Sequence, residues 1–236
     1  MKMKSSNKIT VLLFWILAIT GLQNTGAQTR SVFQENFTKQ QLSKKWNTVN
    51  GDWQVKEGTV IGNRNKEWAI LVSNKTLPEN YILTFSTLVD PNAYLFEVIT
   101  NLHEEKYVGI LLNQLEDRVA IEDRSLYKHP ATRYIESTGN IGKLPKVKFL
   151  MEYRWLDWKI QKAGNQLFVW LNNEAVIVYT DAAAILKAGG KFGFAVNGAV
   201  TLKNIALYKT KKEAALPPAD FQMKNPFEKP FFLFSE

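Results

Sequence analysis

The sequence predicts an all-β protein whose short antiparallel strands pack as a sandwich or barrel. Residues 164–206 alternate β-branched and aromatic runs with Gly and Asn turns, a pattern typical of hairpins that leaves no space for a helix of useful length. About a dozen such runs recur along the chain, and many short strands separated by turn residues favour a β-sandwich or barrel.

The elements are expected in the following order. A first strand at 32–37 precedes one or two helical turns at 38–46 and a hairpin at 50–61 that reverses at a Glu-Gly turn. A second, brief helical segment is expected at 180–187. Further strands are expected at 68–72, 81–89, 94–100, 107–113, 118–122, 146–154, 158–162, 167–171, 175–179, 191–196 and 201–209.

The first 27 residues have the features of a secretory signal peptide. A lysine-rich start without acids precedes the apolar run 9–22, and small polar residues lead to Ala27, where we expect cleavage. The run of about 14 residues is shorter than the roughly 20 that a membrane span requires, although an uncleaved anchor is the alternative. The expected organisation is a signal peptide at 1–27, a β-sandwich at 28–210 and a Pro/Phe-rich arm at 211–236.

The absence of cysteine excludes disulfides, thiolate metal sites and a lipoprotein anchor. In an exported chain this composition fits a bacterial periplasmic or secreted protein. The net charge of +8 is scattered rather than gathered into a basic stripe with stacking aromatics, so nucleic-acid binding is not expected. No membrane span is expected after signal cleavage.

The C-terminal arm combines four prolines with five phenylalanines in its last sixteen residues. Proline prevents regular pairing, so an extended arm is expected from Pro217 onward. Its phenylalanines either cover an apolar sheet edge or dock into a partner protein.

Two separated motifs carry a resemblance to a known family. The first consists of Phe37, Leu42, Trp46, Gly51, Trp53, Val55 and Gly58. The second consists of Trp158, Gly164, Asn165, Leu167, Asn172, Asp181, Gly190, Phe192, Gly193, Asn204 and Ile205. With these motifs the chain resembles the bacterial concanavalin/laminin-G-like jelly rolls, especially the 3-keto-disaccharide hydrolase-like family. The resemblance implies a two-sheet antiparallel jelly-roll sandwich and an activity on glycosidic bonds. The chain departs from the family in its middle strands, where only Glu122 and Asp123 offer carboxylates in a comparable place.

Candidate catalytic residues follow from the chemistry of glycoside hydrolysis, which uses two carboxylates on either side of the bond. Glu97 lies on another expected strand and could face Glu122 across the sheet, with His129 as a further acid/base group. The alternative is that these are solvated or salt-bridged strand acids.

Aromatic and planar polar side chains around the middle strands favour glycan binding, because sugars stack on aromatic rings and hydrogen-bond to planar polar groups. The long polar loop 123–142 is of the type that carries function on a rigid sandwich. Trp46, Trp53 and Trp170 are assigned to packing. The candidate ligand-binding residues are Trp68, Tyr94, Asp123, Arg124, Tyr127, Arg133, Tyr134, Arg154 and Trp155.

No cofactor is expected except calcium. Carboxylates and backbone carbonyls are sufficient ligands for calcium, and Asp90 and Asp181 lie in expected loops. The two histidines do not form a transition-metal pair. The sequence therefore predicts a carbohydrate-associated protein that binds a glycan. The alternatives are a hydrolase of the 3-keto-disaccharide type and an envelope protein that docks a partner through its arm.

Overall fold

A computed structural model describes residues 30–104, 106–114, 118–124, 134–137, 154–181, 184 and 186–211. Within these ranges the chain forms β-strands and no helix. The strands are β1 (Arg30–Glu35), β2 (Trp46–Asn50), β3 (Asp52–Lys56), β4 (Thr59–Asn63), β5 (Ala69–Thr76), β6 (Tyr81–Val89), β7 (Leu95–His103), β8 (Lys106–Asn113), β9 (Arg118–Arg124), β10 (Tyr134–Ser137), β11 (Leu156–Ala163), β12 (Gln166–Leu171), β13 (Glu174–Thr180), β14 (Lys191–Val196) and β15 (Ala199–Lys209).

The strands form two antiparallel sheets that pack as a jelly-roll sandwich, which confirms the predicted fold class. The first sheet has the order β13-β12-β11-β6-β15-β4-β3, and β1 pairs with the second half of β15. The second sheet has the order β10-β9-β8-β7-β14-β5-β2. The three middle strands β7, β8 and β9 are therefore direct neighbours in one sheet.

Two of the hairpins reverse at turns that the sequence specifies locally. Glu57 and Gly58 join β3 to β4 with φ of 49° and 76°, and Asn172 and Asn173 join β12 to β13 with φ of 49° and 67°. Positive φ at both central residues is the type I′ geometry, whose twist matches that of the flanking strands. The predicted hairpin at 50–61 is confirmed.

Aromatic rings from both sheets meet in the core between them. Phe85 of the first sheet lies 4.9 Å from Phe194 and 5.5 Å from Trp158, measured between ring centroids. Phe96 of the second sheet lies 5.7 Å from Trp158. These rings are buried, and edge-to-face and offset contacts at such distances are favourable.

The helical turns predicted at 38–46 are wrong: this segment forms bends and a turn, and Trp46 begins β2. The physical reason is tertiary, because the Trp46 ring is buried against Phe33 and Phe192 at centroid distances of 5.5 and 5.8 Å. The helix propensity of residues 38–46 does not reflect this contact with rings that are distant in sequence. The described part of 180–187 is also not helical.

The described residues contain no helix long and apolar enough to cross a membrane. The expected signal peptide, the arm beyond residue 211 and all but the last residue of the strand expected at 146–154 lie outside the described residues. The predicted domain boundaries therefore stay predictions.

Candidate functional site

The second sheet has one face in the core and one face that points away from it. Along β7, β8 and β9, core residues such as Phe96, Ile110 and Ile121 alternate with residues on the opposite side of the sheet. We call that side the outward face. On the three middle strands it carries Glu97, Ile99, Tyr107, Gly109, Leu111, Ala120, Glu122 and Arg124.

A buried charged cluster lies in the middle of the outward face. Arg124 Nε donates to Glu97 Oε1 at 2.9 Å and lies 2.8 Å from Glu122 Oε2. The Tyr107 hydroxyl donates to Glu97 Oε2 at 3.2 Å. Glu97 and Glu122 are each 2% exposed and Arg124 is 6% exposed. The structure therefore brings together three of the residues that the sequence singled out.

The electrostatics of the cluster fix the protonation of its donors. Burial alone would lower the pKa of Arg124, but the negative charges of Glu97 and Glu122 outweigh it and raise that pKa. Burial, followed by the charge of Glu97, raises the pKa of Tyr107. Arg124 is therefore a cation and Tyr107 a neutral phenol at physiological pH.

The two carboxylates lie close enough to be compared with a catalytic pair. Since one oxygen of each lies within 3 Å of Arg124 Nε, those oxygens are at most about 6 Å apart, near the roughly 5–5.5 Å between carboxyl groups in retaining glycosidases. Both carboxylates face the same guanidinium, Glu97 through a hydrogen bond and Glu122 through an ion pair.

One partly exposed aromatic candidate, Trp68, lies at one end of this face, whereas Tyr94 has the strand parity of the core residue Phe96. Trp68 directly precedes β5 and is half-buried, and Tyr94 directly precedes β7 and is 44% exposed. Backbone pairing aligns Ile70 with Ala195 and Ala195 with Glu97. Strand spacing and rise therefore separate the Cα atoms of Trp68 and Glu97 by about 12 Å.

The structure does not bring Trp155 to this cluster. Trp155 precedes β11 of the first sheet, and Lys203 Nζ of β15 lies 3.8 Å from its ring centroid. Lys203 follows the core residue Leu202, so it points to the far side of the first sheet. The structure therefore places Trp155 and Arg124 on different sheets with the core between them, and the role of Trp155 in binding stays a prediction. Arg154 precedes Trp155 in the same segment.

The remaining candidates are only partly described. The backbone of Asp123 lies in β9, and Tyr134 of β10 pairs with Glu122. Tyr127, His129 and Arg133 lie outside the described residues, so their roles stay predictions.

The calcium candidates have protein partners. Asp90 Oδ1 accepts the Asn92 N–H at 2.8 Å. The Asp181 carboxylate accepts the Tyr179 hydroxyl at 3.1 Å and the Leu186 N–H at 2.7 Å. The described part of the chain contains no group of three or more His, Asp or Glu side chains suited to a metal ion. The calcium site stays a prediction.

Two shallow cavities of about 630 and 330 Å³ open beside β1 and share Val32 and Lys75 as lining residues. None of the candidate catalytic or binding residues lines them. They add nothing to the cluster on the outward face.

Sequence reasoning missed Gly109, over which the Glu97 carboxylate lies. The signal that could have found it is a glycine in the middle of an otherwise apolar strand, which often marks a close approach of another group.

Comparison with known proteins supports the fold. Carbohydrate-binding module CBM66 from Bacillus subtilis matches with a TM-score of 0.55 and 15% identity, over 70% of this chain and 96% of that one. A protein of unknown function with a galectin-like fold from Bacillus subtilis matches with a TM-score of 0.61 and 9% identity, over 78% and 100%. An endo-β-1,3-glucanase from Pyrococcus furiosus matches with a TM-score of 0.61 and 8% identity, over 77% and 94%.

At these identities the likeness shows the fold alone. No protein-family model and no curated protein sequence matches the chain. The protein is a two-sheet jelly-roll sandwich of the concanavalin-like kind.

Proposed function

We propose that this protein is a secreted or periplasmic bacterial protein that binds a carbohydrate on the outward face of the second sheet. The observation that carries the proposal is the cluster of Glu97, Arg124 and Glu122 in the middle of that face. Sugar hydroxyl groups donate to carboxylates and accept from guanidinium and phenol groups, so the cluster has the chemistry for both kinds of partner, and binding requires that a ligand reach groups that are 2–6% exposed in this structure.

The burial of these charges supports a functional role. Removing an ion from water costs several kcal/mol, and apolar side chains in its place are often equally stabilising. The aromatic and aliphatic core lies on the other face of the same strands. Buried titratable groups with a specific charge partner cluster at functional sites more often than elsewhere.

Trp68 extends the proposed surface toward solvent. Its half-buried ring at the end of the face suits the apolar C–H faces of sugars, which stack on aromatic side chains. The separation of about 12 Å between Trp68 and Glu97 favours an oligosaccharide over a single sugar ring. Two structural neighbours, a carbohydrate-binding module and a glucanase, support the same ligand class.

The proposal is tested by screening the purified protein on a glycan array and titrating the strongest ligand by calorimetry. Glu122→Gln, which removes a charge from the cluster, should weaken binding by about tenfold or more, equivalent to about 1.4 kcal/mol. Glu174→Gln is the matched control, because Glu174 is exposed on β13 of the other sheet. An array without ligands, or equal affinities for both variants, would contradict the proposal.

Hydrolysis by the same cluster is the second candidate, as the family resemblance implies. The observation that favours it is the short distance between the carboxylates of Glu97 and Glu122. Incubating the array ligands with the protein should release no reducing ends if binding is the function. Turnover that disappears in Glu122→Gln would replace binding with glycosidic hydrolysis.

A third candidate, docking of a partner protein through the arm at 217–236, concerns residues outside the described part. It stays a prediction, which deletion of residues 217–236 tests.

A further inference from the structure

We infer that Gly109 is a positioning residue, whose missing side chain lets the carboxylate of Glu97 cross β8 to reach Arg124 on β9. The inference concerns the geometry of the charged cluster. Only its consequence for ligand affinity rests on the proposed function.

The strand register shows why such a crossing is needed. Glu97 of β7 lies opposite Leu111 of β8, whereas Gly109 lies opposite Ile99 on one side and Glu122 on the other. The Glu97 side chain must therefore lean diagonally across β8 to reach β9. Its path runs over the one position of β8 in that row that has no side chain.

The contact geometry at Gly109 supports this path. The three atoms nearest to a Cβ added at Gly109 all belong to Glu97, and the closest of them is Oε1, followed by Cδ at 2.9 Å. Real Cβ atoms essentially never approach other atoms so closely. An alanine at this position would therefore displace the carboxylate that accepts from Arg124 and Tyr107.

The backbone gives no other reason for glycine at this position. Gly109 does not have the positive φ that Gly51, Gly58 and Gly164 have. Glycine in the interior of a strand weakens it, so alanine would ordinarily stabilise β8. The space above Gly109 is filled by the Glu97 carboxylate, so the absence of a side chain at Gly109 serves Glu97.

The test is a double-mutant cycle on the full chain that combines Gly109→Ala with Glu97→Asp. The aspartate side chain is one methylene shorter, so its carboxylate carbon takes the place of the Glu97 Cγ, which lies 3.4 Å from the added Cβ instead of 2.9 Å. We expect Gly109→Ala alone to lower the melting temperature by several degrees and to cause little or no further loss in the Glu97→Asp background. Restored folding in the double variant supports the inference if Gly109→Ala alone does not fold.

Two results would overturn the inference. One is an unchanged or higher melting temperature of Gly109→Ala, and the other is an equal loss, or a failure to fold, in both backgrounds. Ligand affinity gives a second readout, in which Gly109→Ala weakens binding in the wild-type background but not in the Glu97→Asp background. If the wild-type protein binds no glycan, the proposed function fails, but the melting temperatures still test whether Gly109 positions the Glu97 carboxylate.

Discussion

Replacing Arg124 by methionine tests whether Arg124 holds Glu97 and Glu122 together in the charged cluster on the outward face. The substitution keeps an unbranched side chain but removes the cation that lies within 3 Å of both Glu97 and Glu122. Two nearly inaccessible carboxylates then remain without that cation between them. Their mutual repulsion and their desolvation should both destabilise the folded protein.

The magnitude follows from the geometry. Two charges about 6 Å apart repel by about 3 kcal/mol at an effective dielectric constant of about 20. Removing one partner of a buried ion pair costs about 3–5 kcal/mol, which agrees with that figure. For a domain of this size the melting temperature should fall by about 10 °C. Differential scanning fluorimetry at pH 7 and denaturant unfolding measure the two quantities.

The matched control is Lys203→Met, which removes a cation from the far side of the other sheet, where it contacts Trp155. A cation–π contact of this kind contributes about 0.5–1 kcal/mol, so the control should lose only a few degrees. Equal losses in the two variants would show that Arg124 does not hold the two carboxylates together.

The remaining predictions concern the core and the arm. Phe194→Ala, which removes a fully buried ring that contacts Phe85 and Phe96, should reduce the free energy of unfolding by about 3–5 kcal/mol, as measured by urea denaturation. A loss below about 1 kcal/mol would mean that these rings do not hold the sheets together. Deleting 217–236 should leave the melting temperature unchanged and abolish capture of a partner if the arm is a docking segment. A large drop in melting temperature would instead show that the arm covers the sandwich.

The hairpins could be predicted from sequence because their determinants are local. The pairs Glu57-Gly58 and Asn172-Asn173 specify the turn, and the alternating residues beside them specify the strands. The segment at 38–46 could not be predicted in the same way. Its conformation depends on the burial of Trp46 against rings that lie far away in sequence.

The candidate site could be predicted in part for a related reason. Glu97 and Glu122 lie on strands that are close in sequence, and consecutive strands are usually neighbours in a sheet, so their meeting was foreseeable. Arg124 was predicted as a ligand-binding residue, but not as the cation between them. The sequence does not reveal that β11 lies in the other sheet, which separates Trp155 from the cluster.

Calorimetric titration of the strongest array ligand into Trp68→Ala and Trp155→Ala tests whether the ligand binds on the outward face of the second sheet. The two variants remove the same side chain, one beside the outward face and one from the other sheet. If the ligand binds there, Trp68→Ala should weaken binding about tenfold or more, while Trp155→Ala should keep the wild-type affinity. Loss of binding in Trp155→Ala with unchanged affinity in Trp68→Ala would place the ligand on the first sheet and contradict binding on the second.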